Sequence, residues 1–508
     1  MNNITQLKNT SRTVVQTGVW QFTLGILLSA LSGLLLLVSF PPYGIWPLAW
    51  VALVPAIFAQ YRLLPLKWSR LAGGLYILFW LGPYLARLFG TQFGPFFTYL
   101  GVLIAVFSFF FSSDRKFNEV TQFRWFVPMG MFSWVGIEMV RATFIPLIAT
   151  SAFIGYTQST QAWIFQPVAI FSVYGFDFVM VLVNHVLAQT LLAWYDKRMQ
   201  PAEVHVDSRM AKRWLAGAGV VLAAWIGLSL IMLNNTPKEE PIVRVAALRS
   251  GFPLPAFQDE VNDDQVRFDT FAQQAREAAV QDAQALFTSE MMFNFDPQQK
   301  YTEEFKTIAH DTNTYLFLGY TVIDEEKGIF RNEIVMLSPS GEFSAVYAKN
   351  HNTPGEPLSP TAGVYPVYDT PFGKMASSIC HDNNYTDVDR KLAANGAQLI
   401  GAGFREFGGG GGEQSWQNVT FRAVENHTAI VMTGAAYVSA IIDGHGRQIM
   451  LDNTYEGGPL VMVADVPMGS GATPYTSLGD VLGWVSLAGL VFFTVFSSVV
   501  VKRATKVK

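Results

Sequence analysis

Long apolar stretches separated by short polar segments dominate the first half of the chain. Each has the length, about 20 residues, that carries a helix across a bilayer. The predicted spans are 19–40, 45–61, 71–91, 97–113, 125–147, 169–195, 213–233 and, near the C-terminus, 479–501. The first stretch is too long for the apolar region of a cleaved signal and predicts an anchor that is retained. The pattern therefore predicts a polytopic α-helical membrane domain in 1–237 and a final transmembrane helix in 471–508, about eight helices together.

Between residues 238 and 470 the pattern changes, because charged residues return and apolar runs shorten. Short apolar runs alternating with polar stretches of helical spacing indicate an α/β sandwich or layered sheet. A helix is expected at 264–285 with Val266 and Phe268 on its apolar side, and the glycine run 408–412 is expected to be a mobile loop. The predicted strands are 243–248, 283–290, 314–322, 332–338, 344–349, 374–380, 396–403, 429–435 and 438–443.

Lysine and arginine concentrate in alternate connections between the predicted spans. They are Lys8, Arg12, Arg62, Lys67, Arg70, Arg115, Lys116, Arg124, Lys197, Arg198, Arg209, Lys212, Arg213, Lys502, Arg503, Lys506 and Lys508. Short loops rich in these residues face the cytoplasm. The prediction is therefore a bacterial cytoplasmic (inner) membrane protein with both termini in the cytoplasm and the α/β domain on the extracytoplasmic face.

Composition narrows the classes of function. Half of the residues are hydrophobic and 15% are charged, whereas a soluble domain carries about 25% charged residues. The net charge of −4 gives no reason to expect a nucleic-acid partner. No histidine, cysteine and carboxylate spacing is typical of a metal site, so neither a metal nor another cofactor is expected.

Three residues with complementary chemistry stand at or just after predicted strands: Glu290, Lys349 and Cys380. Strand ends are where layered α/β folds form ligand sites. A carboxylate can take the proton of a thiol, and an ammonium group stabilises the thiolate and a later oxyanion. Cys380 is the only cysteine, so an internal disulfide is excluded. Taken alone, it is either a small core residue or a nucleophile, and both interpretations stay open at this point.

The order of these residues resembles the nitrilase, or carbon-nitrogen hydrolase, superfamily. The carrying segments are "YAKNHNTPGEP" (347–357) and "SSICHD" (377–382), with Glu290 before them. "FRAVENHTAIVMTGAAYVSAIIDGHGRQI" (421–449) and "FPPYGIWPLAWVALVPAI" (40–57) are similar to its membrane-bound branch, the apolipoprotein N-acyltransferases. The resemblance implies an α-β-β-α sandwich inserted before the last transmembrane helix, with Glu290 as general base, Lys349 as oxyanion stabiliser and Cys380 as nucleophile.

The chain departs from the family pattern beside two of these residues. The loop after Lys349 is one residue shorter than usual, and its Glu356 would be the glutamate that assists the triad. After the cysteine the family usually has an aromatic residue and a glutamate, whereas this chain has His381 and Asp382. Asp382 would take over the glutamate's task with a shorter reach, and His381 is interpreted as a packing replacement in preference to a new base, so it stays among the supporting residues.

The resemblance implies a reaction in two halves. Cys380 would take an acyl chain from a membrane phospholipid, and the thioester would pass it to the N-terminal amine of diacylglyceryl-cysteine in a lipoprotein. The alternative is an extracytoplasmic amidase or other carbon-nitrogen hydrolase with the same triad, and a third interpretation is an inactive membrane scaffold. Expected partners are phospholipid, diacylated lipoprotein and membrane lipids, and the protein is expected to be a monomer. Glu138 and Arg141, three apart in a predicted span, are a possible membrane-embedded pair.

Overall fold

The structure, a computed structural model, divides into a helical part and a β-sandwich. It describes residues 18–89, 96–145, 149–199, 204–235, 241–252, 263–324, 328–353, 355–405, 409–436, 438–453 and 458–506. Of the positions singled out in the sequence, Lys8, Arg12, Gly408 and Lys508 lie outside these residues. The helices before the sandwich are α1 Val19–Leu37, α2 Val54–Phe58, α3 Arg70–Phe89, α4 Phe96–Val120, α5 Phe126–Phe144, α6 Ala162–Phe165, α7 Val168–Met199 and α8 Ser208–Asn234.

Six helices in the described part of the chain are long and apolar enough to cross a membrane. They are Val19–Leu37, Leu66–Leu88, Phe96–Val120, Val168–Met199, Ser208–Asn234 and Val481–Lys506. The predicted count of about eight is therefore not confirmed. The predicted span 45–61 instead consists of the 3-10 turn Trp46–Trp50, the short helix α2 and the π turn Ala59–Leu63. Pro47 and Pro55 begin the first two of these pieces, and proline lacks the N–H that a continuous helix needs.

Helix α5 covers most of the predicted span 125–147 but is not among the six. Its 19 residues include the buried Glu138 and Arg141, and these charges lower its mean hydropathy. Charged groups inside such a helix need protein around them rather than lipid. Helix α5 is accordingly packed between α7 and the final helix, α14 (Val481–Lys506).

Two six-stranded sheets form the second part. Their strand orders are β12-β1-β2-β3-β4-β5 and β11-β10-β9-β8-β7-β6. The strands are β1 Ile242–Arg249, β2 Ala285–Thr288, β3 Tyr315–Asp324, β4 Ile329–Leu337, β5 Tyr347–Ala348, β6 Val367–Thr370, β7 Gly373–Ile379, β8 Leu399–Gly403, β9 Ala429–Thr433, β10 Ser439–Ile442, β11 Gln448–Asp452 and β12 Leu460–Pro467. The accompanying helices are α9 Asp264–Val280, α10 Thr302–Thr312, α11 Val388–Ala394, α12 Gly409–Asn426 and α13 Pro474–Leu478.

The sheets pack face to face, and helices cover their outer faces. Between the sheets, Phe287 of β2 stacks on Phe317 of β3 at 4.4 Å between ring centroids. Gly401 of β8 lies directly against the ring of Phe287, so this contact leaves no room for a side chain there. Helices α9 and α10 bury their aromatic residues on the first sheet, and α11 and α12 pack on the second. The expected α/β sandwich is confirmed, with α-β-β-α layering.

Several local predictions were wrong. The predicted strand 344–349 pairs over only Tyr347–Ala348, and α10, β6, β11 and β12 were not predicted at all. Val266 is exposed rather than buried, at 42% of its surface. Gly409–Gly412 open helix α12 instead of forming a loop. Packing of this helix against α3 and α7 supplies stability that glycine's poor helix propensity does not.

Helix α12 joins the sandwich to the helical part. Its Gln414 donates from Nε2 to Ser151 Oγ at 2.6 Å. At the other end of α12, Glu425 Oε1 accepts from the backbone N–H of Val173 at 2.7 Å. That N–H is available because Ser172 (φ 57°) interrupts the helical backbone of α7. The two parts are therefore connected by buried polar contacts as well as by the chain.

Candidate active site

Glu290, Lys349 and Cys380 come together at one edge of the sandwich. Glu290 follows β2, while Lys349 and Cys380 directly follow β5 and β7. Lys349 Nζ lies 2.9 Å from Glu290 Oε1, and the two residues are only 3% and 4% exposed. Residues 59 positions apart in the chain thus form a buried ion pair. The arrangement follows from strand ends that share one edge of the layered sheets.

Lys349 lies between two carboxylates. Besides Glu290, its Nζ contacts Glu356 Oε2 at 2.8 Å. Burial alone would lower the pKa of Lys349, but the charges of Glu290, Cys380 and Glu356 outweigh burial and raise this pKa above its usual value. Lys349 is therefore a permanent ammonium group, suited to stabilise negative charge at Cys380 rather than to act as a base.

The shortened loop still brings Glu356 to the site. Glu356 Oε2 accepts from Thr353, from the backbone N–H at 3.0 Å and the hydroxyl at 2.9 Å. Burial opposes ionisation of this carboxyl, yet Lys349 and the hydrogen-bond donors prevail and lower the pKa of Glu356. The carboxylate is therefore ionised and forms a second ion pair with Lys349.

Asn332 of β4 bridges the two carboxylates and was missed by sequence reasoning. Its Nδ2 donates to Glu290 Oε1 at 2.7 Å and to Glu356 Oε1 at 2.8 Å. One amide therefore orients both partners of Lys349. Nothing in the sequence of this strand distinguishes a site amide from an ordinary strand residue.

Cys380 occupies a strained turn. It has φ 44°, in the left-handed region that side chains other than glycine rarely adopt. The residue directly follows β7 and begins the 3-10 helix Cys380–Asn384, and it is partly exposed. A sharp turn from strand to helix presents a nucleophile at a sheet edge. Strain of this kind, of order 1–3 kcal/mol, is typical of functional positions.

Asp382 connects the cysteine turn, which is the 3-10 helix Cys380–Asn384, to the lysine segment, residues 347–351. The oxygens of its fully buried carboxyl accept from the backbone N–H groups of Asn350 (3.0 Å), His351 (2.7 Å) and Ile379 (3.1 Å) and from the hydroxyl of Tyr347 (2.6 Å). Burial raises the pKa of Asp382 to about 6, although the donors oppose the shift. The side chain positions the residues that flank Lys349 and Cys380.

His381 packs within the cysteine turn. Its ring meets Tyr385 edge-on at 5.4 Å, and its Nδ1 lies 2.9 Å from Asn384 Nδ2. The backbone carbonyl of Asn384 accepts from Thr150, from N–H at 3.2 Å and from the hydroxyl at 2.8 Å. The turn that carries Cys380 is thereby attached to the helical part of the protein.

Glu138 and Arg141 remain inside the helical part. Glu138 Oε1 accepts from Trp134 Nε1 at 2.9 Å, and the Arg141 guanidinium lies over the Phe153 ring at 5.0 Å. Both are buried on one side of α5. Within the described residues no ion pair joins Glu138 to Arg141. Over the same residues, no group of three or more potential ligands could hold a metal ion.

Two family models match the chain. The Apolipoprotein N-acyltransferase N-terminal domain matches residues 32–186, and Carbon-nitrogen hydrolase matches residues 263–473. An apolipoprotein N-acyltransferase of Geobacter metallireducens is 25% identical over 91% of this chain and 93% of its own length. The chain belongs to the apolipoprotein N-acyltransferase family.

Other similarities cover a smaller share of the chain. Omega-amidase NIT2-B of Xenopus laevis is 29% identical over 20% of this chain and 39% of its own length. Among solved structures, a mutant of the amidase from Nesterenkonia sp. AN1 in complex with butyramide matches 46% of this chain and 94% of its own, with 20% identity and a TM-score of 0.38. The two regions matched by the family models, 32–186 and 263–473, lie in the helical part and in the sandwich of this chain, respectively.

Proposed function

We propose that this acyltransferase moves an acyl chain from a membrane phospholipid, through a thioester on Cys380, to the N-terminal amine of diacylglyceryl-cysteine in apolipoproteins. The supporting observation is the buried Glu290–Lys349–Glu356 set beside the strained cysteine turn. Membership in an acyltransferase family supports the reaction class, and six apolar helices support a bacterial inner membrane protein.

In the first half-reaction, Glu290 takes the proton of the Cys380 thiol. Glu290 Oε1 accepts hydrogen bonds from Lys349 and Asn332, whereas Oε2 accepts none from the described residues, so Oε2 is the proton acceptor. The thiolate adds to the ester carbonyl, and Lys349 stabilises the resulting oxyanion. The intermediate then expels the lysophospholipid oxygen, which takes the proton from Glu290, and the acyl thioester remains.

In the second half-reaction, the α-amine of the lipoprotein adds to the thioester carbonyl and loses a proton to Glu290. The carbon–sulfur bond breaks, an amide forms, and the Cys380 thiolate recovers the proton from Glu290. Lys349 again lies beside the oxyanion, and Glu356 keeps Lys349 in place. Atoms and charges balance, so the two halves require no cofactor.

The membrane part provides the place where these substrates meet. Moving a 16-carbon acyl chain into water costs about 0.8 kcal/mol per CH₂, or about 12 kcal/mol in total. An enzyme that acts on such chains gains by holding its site at the bilayer surface. We assign residues 1–237 to the helical domain, 238–470 to the catalytic domain and 471–508 to the last helix and tail. The basic loops support an orientation with the catalytic domain on the periplasmic face and both termini in the cytoplasm.

The thioester is tested with phospholipid radiolabelled in one acyl chain. Purified full-length protein should acquire label that neutral hydroxylamine releases, and Cys380→Ala should acquire none. Lys349→Met, with its two carboxylates left unpaired, should label at least about a hundredfold more slowly. A wild-type protein that stays unlabelled with phosphatidylethanolamine, phosphatidylglycerol and cardiolipin would refute the acyltransferase mechanism.

The acceptor and the orientation are tested separately. A diacylated lipopeptide added to the labelled enzyme should receive the label on its amine, whereas release as free fatty acid would favour the hydrolase alternative. A phosphatase reporter inserted after residue 300 should be active in cells, because that enzyme works only outside the cytoplasm. An inactive phosphatase, together with an active cytoplasmic reporter at the same position, would overturn the orientation.

A further inference from the structure

Two buried arginines converge on the residue that follows the proposed base. Arg405, just beyond β8, is 8% exposed and its Nη1 lies 3.4 Å from Met291 Sδ. Arg267 of α9 is 1% exposed, and its Nη1 donates to the carbonyls of Met291 at 3.2 Å and Met292 at 2.8 Å. Both guanidinium groups therefore reach the segment directly after Glu290.

Arg405 has unused hydrogen-bonding capacity. Its Nε and Nη2 are buried without a hydrogen-bond partner. The described residues form no ion pair with it either. Burial lowers the pKa of Arg405 although Glu290 opposes the shift, and burial together with Arg405 lowers the pKa of Arg267 to about 10. The unmet donors of the buried Arg405 guanidinium make it suited to bind an anion.

Arg405 follows the strand that pairs with the strand leading to the nucleophile. Strands β7 and β8 run parallel, with Ile379 opposite Gly403, so Gly403 lies beside the strand end that precedes Cys380. A Cβ on Gly403 would lie only 3.0 Å from the backbone N of Glu290. Arg405 thus extends from the strand end that separates the proposed base from the proposed nucleophile.

We propose that Arg405, with Arg267 behind it, binds the phosphate group of the phospholipid acyl donor. The planar guanidinium fork matches phosphate oxygens and forms strong charge-assisted hydrogen bonds. The phosphate is joined to the reacting ester through glycerol, so a phosphate site beside the triad determines how that ester is presented to Cys380. This assignment of the donor rests on the proposed function, whereas the phosphate site itself can be tested without acyl transfer.

The first experiment measures protection of Cys380. Because Cys380 is the only cysteine, iodoacetamide alkylation of the full-length protein in detergent reports on this site alone. Glycerol 3-phosphate should slow alkylation of the wild type and of Arg244→Gln, a surface control whose partner is Asp465. The concentration for half-protection should rise about tenfold to about a hundredfold in Arg405→Gln. Equal protection of all three proteins, or none in the wild type, would overturn the site.

The second experiment separates lipid phosphate from other roles. Thioester formation is measured from phosphatidylglycerol and from diacylglycerol with the same acyl chains. The ratio of the two rates should fall at least about tenfold in Arg405→Gln, fall less in Arg405→Lys, and match the wild type in Arg244→Gln. An unchanged ratio in Arg405→Gln would mean that Arg405 does not bind the phosphate of the acyl donor and would refute the proposal.

The two experiments distinguish failure of this proposal from failure of the proposed function. If phospholipid yields no thioester in the wild type while Arg405-dependent protection persists, the phosphate site is supported and the donor is refuted. If phospholipid acylates Cys380 with an Arg405-independent ratio, the proposed function stands and binding of the donor's phosphate by Arg405 is refuted. Inorganic phosphate that protects as well as glycerol 3-phosphate, with an unchanged ratio, would assign the site to free phosphate instead.

Discussion

Replacing Asn332 by alanine isolates the amide that bridges Glu290 and Glu356. The substitution removes hydrogen bonds of 2.7 Å and 2.8 Å to the two carboxylates. It leaves the backbone of residue 332 unchanged, where the N–H donates to the Ser359 hydroxyl and the carbonyl accepts from the backbone N–H of Lys349. The triad therefore loses orientation while the strand that carries it keeps its pairing.

The expected loss follows from those two bonds. A hydrogen bond to a charged group contributes about 1.5–3 kcal/mol, and Lys349 still restrains both carboxylates in the variant. We therefore expect about 2–3 kcal/mol of lost transition-state stabilisation, which is about a 30-fold to about a 150-fold slower acylation of Cys380. The assay is single-turnover thioester formation from labelled phospholipid, with the unfolding temperature in detergent measured in parallel.

Two further variants sharpen the test. Asn395→Ala, which removes an exposed hydrogen bond to the Tyr365 carbonyl, is the matched control and should acylate at the wild-type rate. Asn332→Asp adds a third carboxylate around Lys349, so it should be slower than the alanine variant at neutral pH. Its rate should recover on acidification, because a protonated aspartate donates again. An Asn332→Ala enzyme within threefold of the wild-type rate would refute the reasoning.

Three other predictions concern the turn, the domain contact and the sheets. Because the pKa of Asp382 is raised to about 6, wild-type acylation should decline as pH falls below about 6, where the protonated carboxyl accepts fewer hydrogen bonds. Asp382→Asn should be slower at every pH and should lack this decline in its pH–rate profile. A decline that persists in Asp382→Asn would show that another group causes it. Arg422→Met leaves the buried Glu425 carboxylate without the guanidinium that lies 2.8 Å away, so the free energy of unfolding should fall by about 3–5 kcal/mol. The unfolding temperature should be lower, and adding Glu425→Gln should partly restore it. An unaltered unfolding temperature would disprove this. Gly401→Ala forces a methyl group against Phe287, so the free energy of unfolding measured by chemical denaturation should fall by about 1–3 kcal/mol. Adding Phe287→Leu should restore part of this loss. Full stability of the single variant would show that the sheets can separate to make room.

The sequence alone predicted the helical and sandwich parts, because their hydrophobic patterns differ in period and length. It also singled out Glu290, Lys349 and Cys380, since rare chemistry at strand ends stands out against apolar runs. It did not predict that segment 45–61 breaks into short turns or that α5 is enclosed by other helices. Those outcomes depend on which neighbours satisfy backbone and charged groups, and hydropathy along one segment carries no such information.

The tertiary structure decided how the site is assembled. Asn332 and Glu290 are 42 positions apart, yet one amide of the former orients the latter and Glu356. Asp382 lies next to the cysteine turn, but its partners come mostly from the lysine segment 31 to 35 positions earlier. Likewise, only the packing around Arg405 shows that its Nε and Nη2 are buried without a hydrogen-bond partner. A sequence determines which groups are available and where strands end, whereas the hydrogen-bond partner of each group depends on sheet pairing and packing between distant segments.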